Sequence, residues 1–306
     1  MGRRVSIVVV TWNSAQHLPR CLAAIAQQTW PDAELIVVDN ASADESAALA
    51  TRARVIRNDT NRGFAAAVNQ GIAASAGELI LLCNPDAFLE PDYIEQIVKA
   101  LDAAGERYGM ATGRLLRAEE PGVIDSMGIR MTRSGRHFDL QSDERREVFG
   151  VSGAAGMYRR TFLEDVAIDG QPFDEDFFAY REDADIAWRG QLFGWRALYV
   201  PAAVAYHVRR VTPERRRELP AAINMHSVKN RFLLRLKNEG AYLALRNAPF
   251  ELFRDLVVIL ASLTIERSSL PAFAWLWSNR KRVMAKRRAI QSRRRVSDRE
   301  LARWFE

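Results

Sequence analysis

Up to residue 104, apolar runs of strand length alternate with stretches whose apolar positions recur at helical spacing. Val5–Thr11 is an apolar, β-branched run, and Leu18, Leu22 and Ile25 follow three to four residues apart. Leu35–Val38 reads as a second strand, ended by Asp39-Asn40, and Arg54–Arg57 as a third. Between them Ser42, with Glu45 three residues on, has the form of a capping box that opens a helix. Asn61-Arg62-Gly63 reads as a turn and Phe64–Ser75, carrying Val68 and Ile72, as a helix. Leu79–Cys83 reads as a fourth strand, and Pro91–Leu101 as a helix opened by proline. Apolar strands without alternation are buried on both faces, as in a parallel sheet. The order β-α-β-α-β-α-β-α therefore predicts an α/β fold with helices on both faces and right-handed crossovers.

Beyond residue 105 the rhythm changes. Met110–Leu116, Gly128–Thr132 and Glu147–Val151 are read as short strands separated by Gly and charged residues. Val151-Ser152-Gly153-Ala154-Ala155-Gly156 is a run of small residues suited to close approach by a ligand or another backbone. A helix is predicted from Glu182 to Phe193, stopped at Gly194, and Leu198–Val200 and Val204–His207 complete a mixed sheet. After about residue 215 the composition shifts. Val228–Lys237 alternates basic and apolar residues, Leu256–Ile265 is mostly apolar, and Leu270–Trp277 carries Phe273, Trp275 and Trp277. Nine cations then crowd the stretch from Arg280 to Arg295. An apolar, Trp-bearing part followed by a basic part suits a helix lying on an anionic membrane. It suits equally a helical cap packed on the domain with a solvated basic face. The pattern divides the chain into a domain over 1–235 and a helical, amphipathic and basic extension over 236–306.

Composition narrows this picture. The chain has 306 residues, 48% of them hydrophobic, enough for one large domain with an appendage. The formal charge of +6 favours an anionic partner, but no RNA- or DNA-binding motif accompanies it, so nucleic acid is not expected. Cys21 and Cys83 form no metal-ligand pattern and are read as free thiols of a reducing compartment. The start, Met1-Gly2-Arg3-Arg4, is followed by an apolar stretch too short for a signal peptide, and no apolar run reaches the ~18–20 residues that span a bilayer. A cytoplasmic location is expected. The dinucleotide G-x-G-x-x-G fingerprint and the P-loop are both missing.

The candidate chemistry sits at strand ends. Pro85 stops the fourth strand at Asn84, which leaves Asp86 just past a carboxyl end, where open α/β sheets bind ligands. Asp39 ends the second strand in the same way. Each carboxylate also has a plainer reading as a turn or helix-capping residue.

The ordered set Thr11-Trp12-Asn13, Val38-Asp39-Asn40-Ala41-Ser42-Ala43-Asp44, Asn61-Arg62-Gly63-Phe64, Asn69-Gln70-Gly71, Asn84-Pro85-Asp86 and Glu182-Asp183-Ala184-Asp185, with Trp188-Arg189 and Gly194-Trp195 behind it, resembles the inverting glycosyltransferases of family 2. It is most similar to their bacterial rhamnosyltransferase-like branch, and the resemblance covers residues 4–237. It implies the GT-A fold: a Rossmann-like nucleotide-binding half with a mixed central sheet, here followed by the C-terminal helical extension. It implies a nucleotide-sugar donor bound by Thr11, Asn13, Asp39, Asn61, Arg62, Gly63, Asn69, Asn84 and Asp86, with Asp39 accepting the N3–H of uracil or thymine. Asp86 matches the last carboxylate of the family's D-x-D metal motif, whose first Asp is replaced here by Asn84. A Mn²⁺ or Mg²⁺ ion would be held by Asp86, by diphosphate oxygens and by His207, although His207 also reads as a buried, hydrogen-bonded histidine. Arg209 or Arg210 would touch the diphosphate instead.

Asp183 matches the catalytic base, with Glu182 orienting it or the acceptor; alone, both acids read as stabilisers of a helix N-terminus. Gly153, Ala154 and Trp188 fall on the acceptor side, where Trp188 and Trp195 also read as packing residues. The implied reaction moves a hexose, rhamnose-like or other, from a UDP- or dTDP-sugar to a hydroxyl of a glycan or lipid-linked acceptor, with inversion. It would occur at the inner face of a bacterial plasma membrane, with oligomerisation left open. Two rivals remain. A sugar-1-phosphate nucleotidyltransferase needs a Gly-rich, Arg- or Lys-bearing loop where Thr11-Trp12-Asn13-Ser14 stands. A non-catalytic membrane-binding scaffold needs only the fold.

Overall fold

The continuous apolar runs at Val5, Leu35 and Leu79 become neighbouring strands of one sheet. The computed structural model describes residues 3–141, 146–208 and 221–306, so Arg209 and Arg210 lie outside the described residues. The nucleotide-binding half runs β1 (Val5–Thr11), α1 (Leu18–Ala26), β2 (Ala33–Asp39), α2 (Ser46–Leu49), β3 (Arg54–Arg57), α3 (Phe64–Ala74), β4 (Leu79–Cys83), β5 (Ala87–Leu89) and α4 (Tyr93–Ala104). The rest of the sheet region follows as β6 (Tyr108–Arg117), β7 (Ile124–Ser126), β8 (Ile129–Met131), β9 (His137–Asp139), β10 (Glu147–Val148), β11 (Ala155–Arg159), α5 (Arg160–Val166), α6 (Glu182–Leu192) and β12 (Arg196–His207). The extension is α7 (Ala221–Asn238), α8 (Ala241–Thr264), α9 (Pro271–Ser278), α10 (Arg280–Ser292) and α11 (Asp298–Leu301).

The main sheet has the order β10-β12-β6-β11-β4-β1-β2-β3, with β5 and β7 on its margin. β1 pairs in parallel with β2 and β4, and β2 with β3, so their carboxyl ends share one edge. β11 runs antiparallel to both β4 and β6, and makes the sheet mixed. Val5, Ile7, Val8 and Val9 are at most 1% exposed because helices cover both faces. Apolar burial on each face is the main favourable term. α3 lies so close to β1 that a Cβ on Gly71 would come within 2.3 Å of Val8 Cγ1.

Three local expectations are corrected. Leu198–Val200 and Val204–His207 are one strand, β12, with a register shift between Val200 and Val204. The Ser42–Glu45 capping box does not form: Ser42 Oγ accepts from the Asn13 amide at 3.0 Å, and α2 is a single turn starting at Ser46. The boundary at 235/236 falls inside α7, which continues to Asn238.

The extension folds back on the domain. Phe305, only 1% exposed, packs against Trp188 with ring centroids 4.9 Å apart and against Phe149 at 6.2 Å. Many cations of the basic run are tied inward. Lys286 bridges Asp174 and Asp176 at 2.6 and 2.7 Å, Arg282 reaches Asp176 at 2.6 Å, and Arg295 reaches Asp165 at 2.9 Å. The cation run is therefore in large part an internal fastening. No described helix is long and apolar enough to cross a membrane.

Candidate functional site

The shared edge collects three groups of side chains. At the first, the parallel register places Thr11 opposite Asp39 at the ends of β1 and β2. Asp39 is 4% exposed; its Oδ2 accepts from the Ser42 amide at 3.3 Å, while its Oδ1 and Thr11 Oγ1 are buried without a hydrogen-bond partner. An orphaned buried oxygen costs about 1–3 kcal/mol, a cost a ligand donor would relieve. Asn13, at φ 50°, accepts from the Ala43 amide at 2.8 Å and laces the two loops together.

The turn at Asn61-Arg62-Gly63 closes this side. Asn61 Oδ1 accepts from the Gly63 amide and from Asn40 Nδ2, each at 2.9 Å, so its carboxamide oxygen shapes the turn. The Arg62 side chain is exposed. Gly63 has φ +85°, and a Cβ there would lie 2.6 Å from Phe178 Cδ2 and 2.7 Å from the Phe178 carbonyl oxygen. Gly63→Ala is therefore expected to destabilise the protein by about 2 kcal/mol and to raise the donor KM by shifting the turn, read by urea unfolding and initial rates. Asn69 is a correction. Its amide donates to the Phe173 carbonyl at 2.7 Å and accepts from the Phe173 amide at 3.0 Å, so it clamps residues 173–175 and does not line the donor site.

The second group forms where β5 pairs antiparallel with β12 and sets His207 opposite Ala87. That register brings His207 Nε2 to 3.5 Å from Asp86 Oδ1, while Nδ1 lies 2.8 Å from Asp125 Oδ2 on β7. Burial would lower the imidazole pKa, but the two carboxylates outweigh it and hold it at about 9. Asp125 carried no signal in the sequence: one Asp in a short strand looks like any other. The Asn84 amide donates to the Ala154 carbonyl at 2.8 Å, so Ala154, 4% exposed, anchors the turn before Asp86 rather than facing an acceptor. Cys21 and Cys83, both free, lie beneath this turn with their sulfurs 3.9 Å apart.

The third group opens α6. The approach is strained: Phe178, Tyr180 and Arg181 have φ of 66°, 70° and 71°, a region that disfavours side chains. Asn230 on α7 holds it by donating to the carbonyls of Phe177, Ala179 and Tyr180 at 2.9, 2.8 and 2.8 Å. Asp183 is half-buried; its Oδ1 accepts from the Ala184 amide at 2.7 Å and its Oδ2 from the Gly153 amide at 3.4 Å. Gly153 thus faces the carboxylate, with no side chain between. Burial pushes Asp183 up to about 6, with the nearby Asp139 charge adding and the two amides opposing. Burial together with the Asp183 and Asp185 charges pushes Glu182 up to about 8, and Glu182 Oε2 has no partner. Asp139 and Asn230 are neighbours of this group that sequence reading missed, since both meet it only through chain segments far away in sequence.

Trp188 is the remaining correction. It is fully buried between Phe149 and Phe305, on the core side of α6, and meets no acceptor. Asp185, two residues past Asp183, points inward as helical spacing requires and belongs to a buried ion network.

The model of the family described as "Glycosyl transferase family 2" matches residues 6–167. The chain is 30% identical over 237 residues to the N-acetylglucosaminyl-diphospho-decaprenol L-rhamnosyltransferase of Mycobacterium tuberculosis, covering 66% of this chain and 75% of that protein. It is 27% identical to the putative glycosyltransferase EpsH of Bacillus subtilis, covering 80% and 68% respectively. Among solved structures, the mannosyltransferase PcManGT of Pyrobaculum calidifontis, in complex with GDP-Man and Mn²⁺, superposes with TM-score 0.57 at 21% identity, covering 96% of this chain and 84% of that one. S. aureus TarS 1-349 in complex with UDP superposes with TM-score 0.59 at 19% identity, covering 94% and 88%. The chain belongs to glycosyl transferase family 2, in its rhamnosyltransferase-like branch, and is a glycosyltransferase with the GT-A fold.

Proposed function

We propose that the chain transfers a hexose from a UDP- or dTDP-sugar to a hydroxyl of a lipid-linked or polymeric glycan at a membrane surface, by one displacement with inversion. The observation that carries this reading is Asp183, a carboxylate held near neutral pKa against the bare backbone of Gly153. Inversion needs a base on one side of the sugar and leaving-group stabilisation on the other. Asp39 and Thr11 bind the base of the nucleotide, and their orphaned oxygens accept its N–H. Asp183 takes the proton from the acceptor hydroxyl as the new C–O bond forms. Glu182, protonated below about pH 8, keeps a second negative charge away from that step.

The donor set at Asp86 and His207 fits a divalent cation that displaces the Nε2 proton: a carboxylate oxygen and an imidazole nitrogen whose opposite ring nitrogen is fixed by Asp125. Among the described residues no group of three or more His, Cys, Asp or Glu is placed to hold a metal ion by itself, so diphosphate and water oxygens would complete the coordination. When bound, the ion neutralises charge on the departing diphosphate. This predicts weak metal binding without donor. In thermal unfolding with UDP and dTDP, Mn²⁺ is expected to add to the nucleotide's stabilisation, which reaches about 2.7 kcal/mol at a hundredfold excess over Kd. Asp86→Ala should remove the Mn²⁺-dependent part. A shift that survives Asp86→Ala intact would sink the metal assignment. The runner-up sugar-1-phosphate nucleotidyltransferase is set aside by family membership.

A further inference from the structure

Helix α8 is inside out. Its inward face carries Asn247, Glu251 and Asp255, and the last two hold Arg235 of α7, Glu251 at 2.9 Å. Its outward face carries Leu245, Leu252, Phe253, Leu256, Leu260 and Leu263, which recur at three-, four- and seven-residue intervals. Leu252 is 68%, Phe253 71%, Leu256 55% and Leu260 51% exposed. A surface helix ordinarily has the reverse polarity. The stripe from Leu245 to Leu263 is about 27 Å long at the helical rise of about 1.5 Å per residue. Soluble surfaces rarely leave so long an apolar row uncovered unless something binds there.

We propose that this face of α8 lies in the interfacial region of an anionic lipid membrane. Charge selects the occupant. From residue 241 to 292, every exposed charged residue is a cation: Arg267, Arg280, Lys281 and Arg288, together with Arg282, which is paired with Asp176. Arg267 follows the end of α8, and Arg280 sits 4.3 Å over the ring of Trp277, which is 69% exposed. An apolar helix face followed along the chain by exposed cations and an exposed Trp matches anionic headgroups over acyl chains. A second copy would set the same cations against each other. The helix lies on the surface rather than across it, because its other face is polar and bonded to α7. The inference deepens the proposed membrane-side function and rests on that reading only for its purpose. The binding itself is carried by the polarity of α8.

The test is co-sedimentation with vesicles of phosphatidylglycerol and phosphatidylcholine in equal parts, and with phosphatidylcholine alone. Wild type should pellet with the anionic vesicles. L256D/L260D should lower the partition coefficient by about tenfold or more, with an unchanged unfolding midpoint because both positions are exposed. Arg267→Gln with Lys281→Gln should cost about fivefold per cation on anionic vesicles and little on neutral ones. Wild type remaining in the supernatant, or L256D/L260D binding as well as wild type, overturns the proposal. So does a dimer in sedimentation velocity that L256D/L260D dissolves while neither protein binds vesicles, which would assign the face to a second copy. Donor hydrolysis, which needs no membrane, separates these outcomes from failure of the catalytic reading.

Discussion

Asp183→Asn is expected to lower kcat for glycosyl transfer by roughly 10²- to 10⁴-fold, the range for losing a positioned general base, and to leave the protein at least as stable. Asparagine keeps one oxygen for the Ala184 amide, gives up only the long contact from the Gly153 amide to the other oxygen, and accepts no proton. In the wild type, kcat should rise with pH through about 6, where burial and the Asp139 charge set the Asp183 carboxyl. The stability effect has the opposite direction. An unfolded Asp titrates near ~4, so between there and about 6 the native protein holds a proton that the unfolded chain has lost, and stability falls as pH rises. Glu182 adds the same sign up to about 8. Asn carries no such cost, and at about pH 7.5 the variant should gain on the order of 1–3 kcal/mol. Initial rates and urea unfolding check both halves. Retained activity would remove Asp183 as the base. An inactive variant with a lowered midpoint would point to a folding lesion.

The parallel half of the fold was legible because each strand is a short apolar run ended by a polar residue. Val5–Thr11, Arg54–Arg57 and Leu79–Cys83 lie where the pattern placed them. The strand-end rule also put Thr11, Asp39 and Asp86 at one edge of the sheet, since parallel strands share the edge of their carboxyl ends. The part that stayed hidden depends on pairing between distant segments. Asp125 reaches His207 only because β7 and β12 both border β6. Trp188 reads in sequence both as an acceptor-side and as a packing residue; it packs inward because Phe305, near the far end of the chain, returns to cover it. The basic run looked solvated because its partners, Asp174 and Asp176, lie more than a hundred residues earlier and pair with it only in three dimensions.

Asp185→Ala is expected to cost about 3–5 kcal/mol, the penalty for breaking one partner out of a buried ion pair. The Asp185 side chain is 0% exposed, and accepts from Arg189 and Lys237 at 2.9 Å and from Asn238 at 2.7 Å. Both cations are themselves fully buried, so removal of the carboxylate leaves charge without water to solvate it. Lys237 keeps Asp174, whose carboxyl is held well below the usual range by Lys237 and Lys286 against the pull of burial. That depressed group stabilises the fold above its unfolded pKa of ~4 and loses its contribution as pH falls further, so the variant should unfold in acid before the wild type does. The contrast with Asp183 is the discriminating measurement. Two carboxylates stand two residues apart on α6; substituting the outward one should abolish turnover and raise stability at neutral pH. Substituting the inward one should lower stability while turnover per folded molecule stays within a few-fold of wild type. Equal effects on both quantities at both positions would mean that the first turn of α6 acts as a single structural unit, with no separate base.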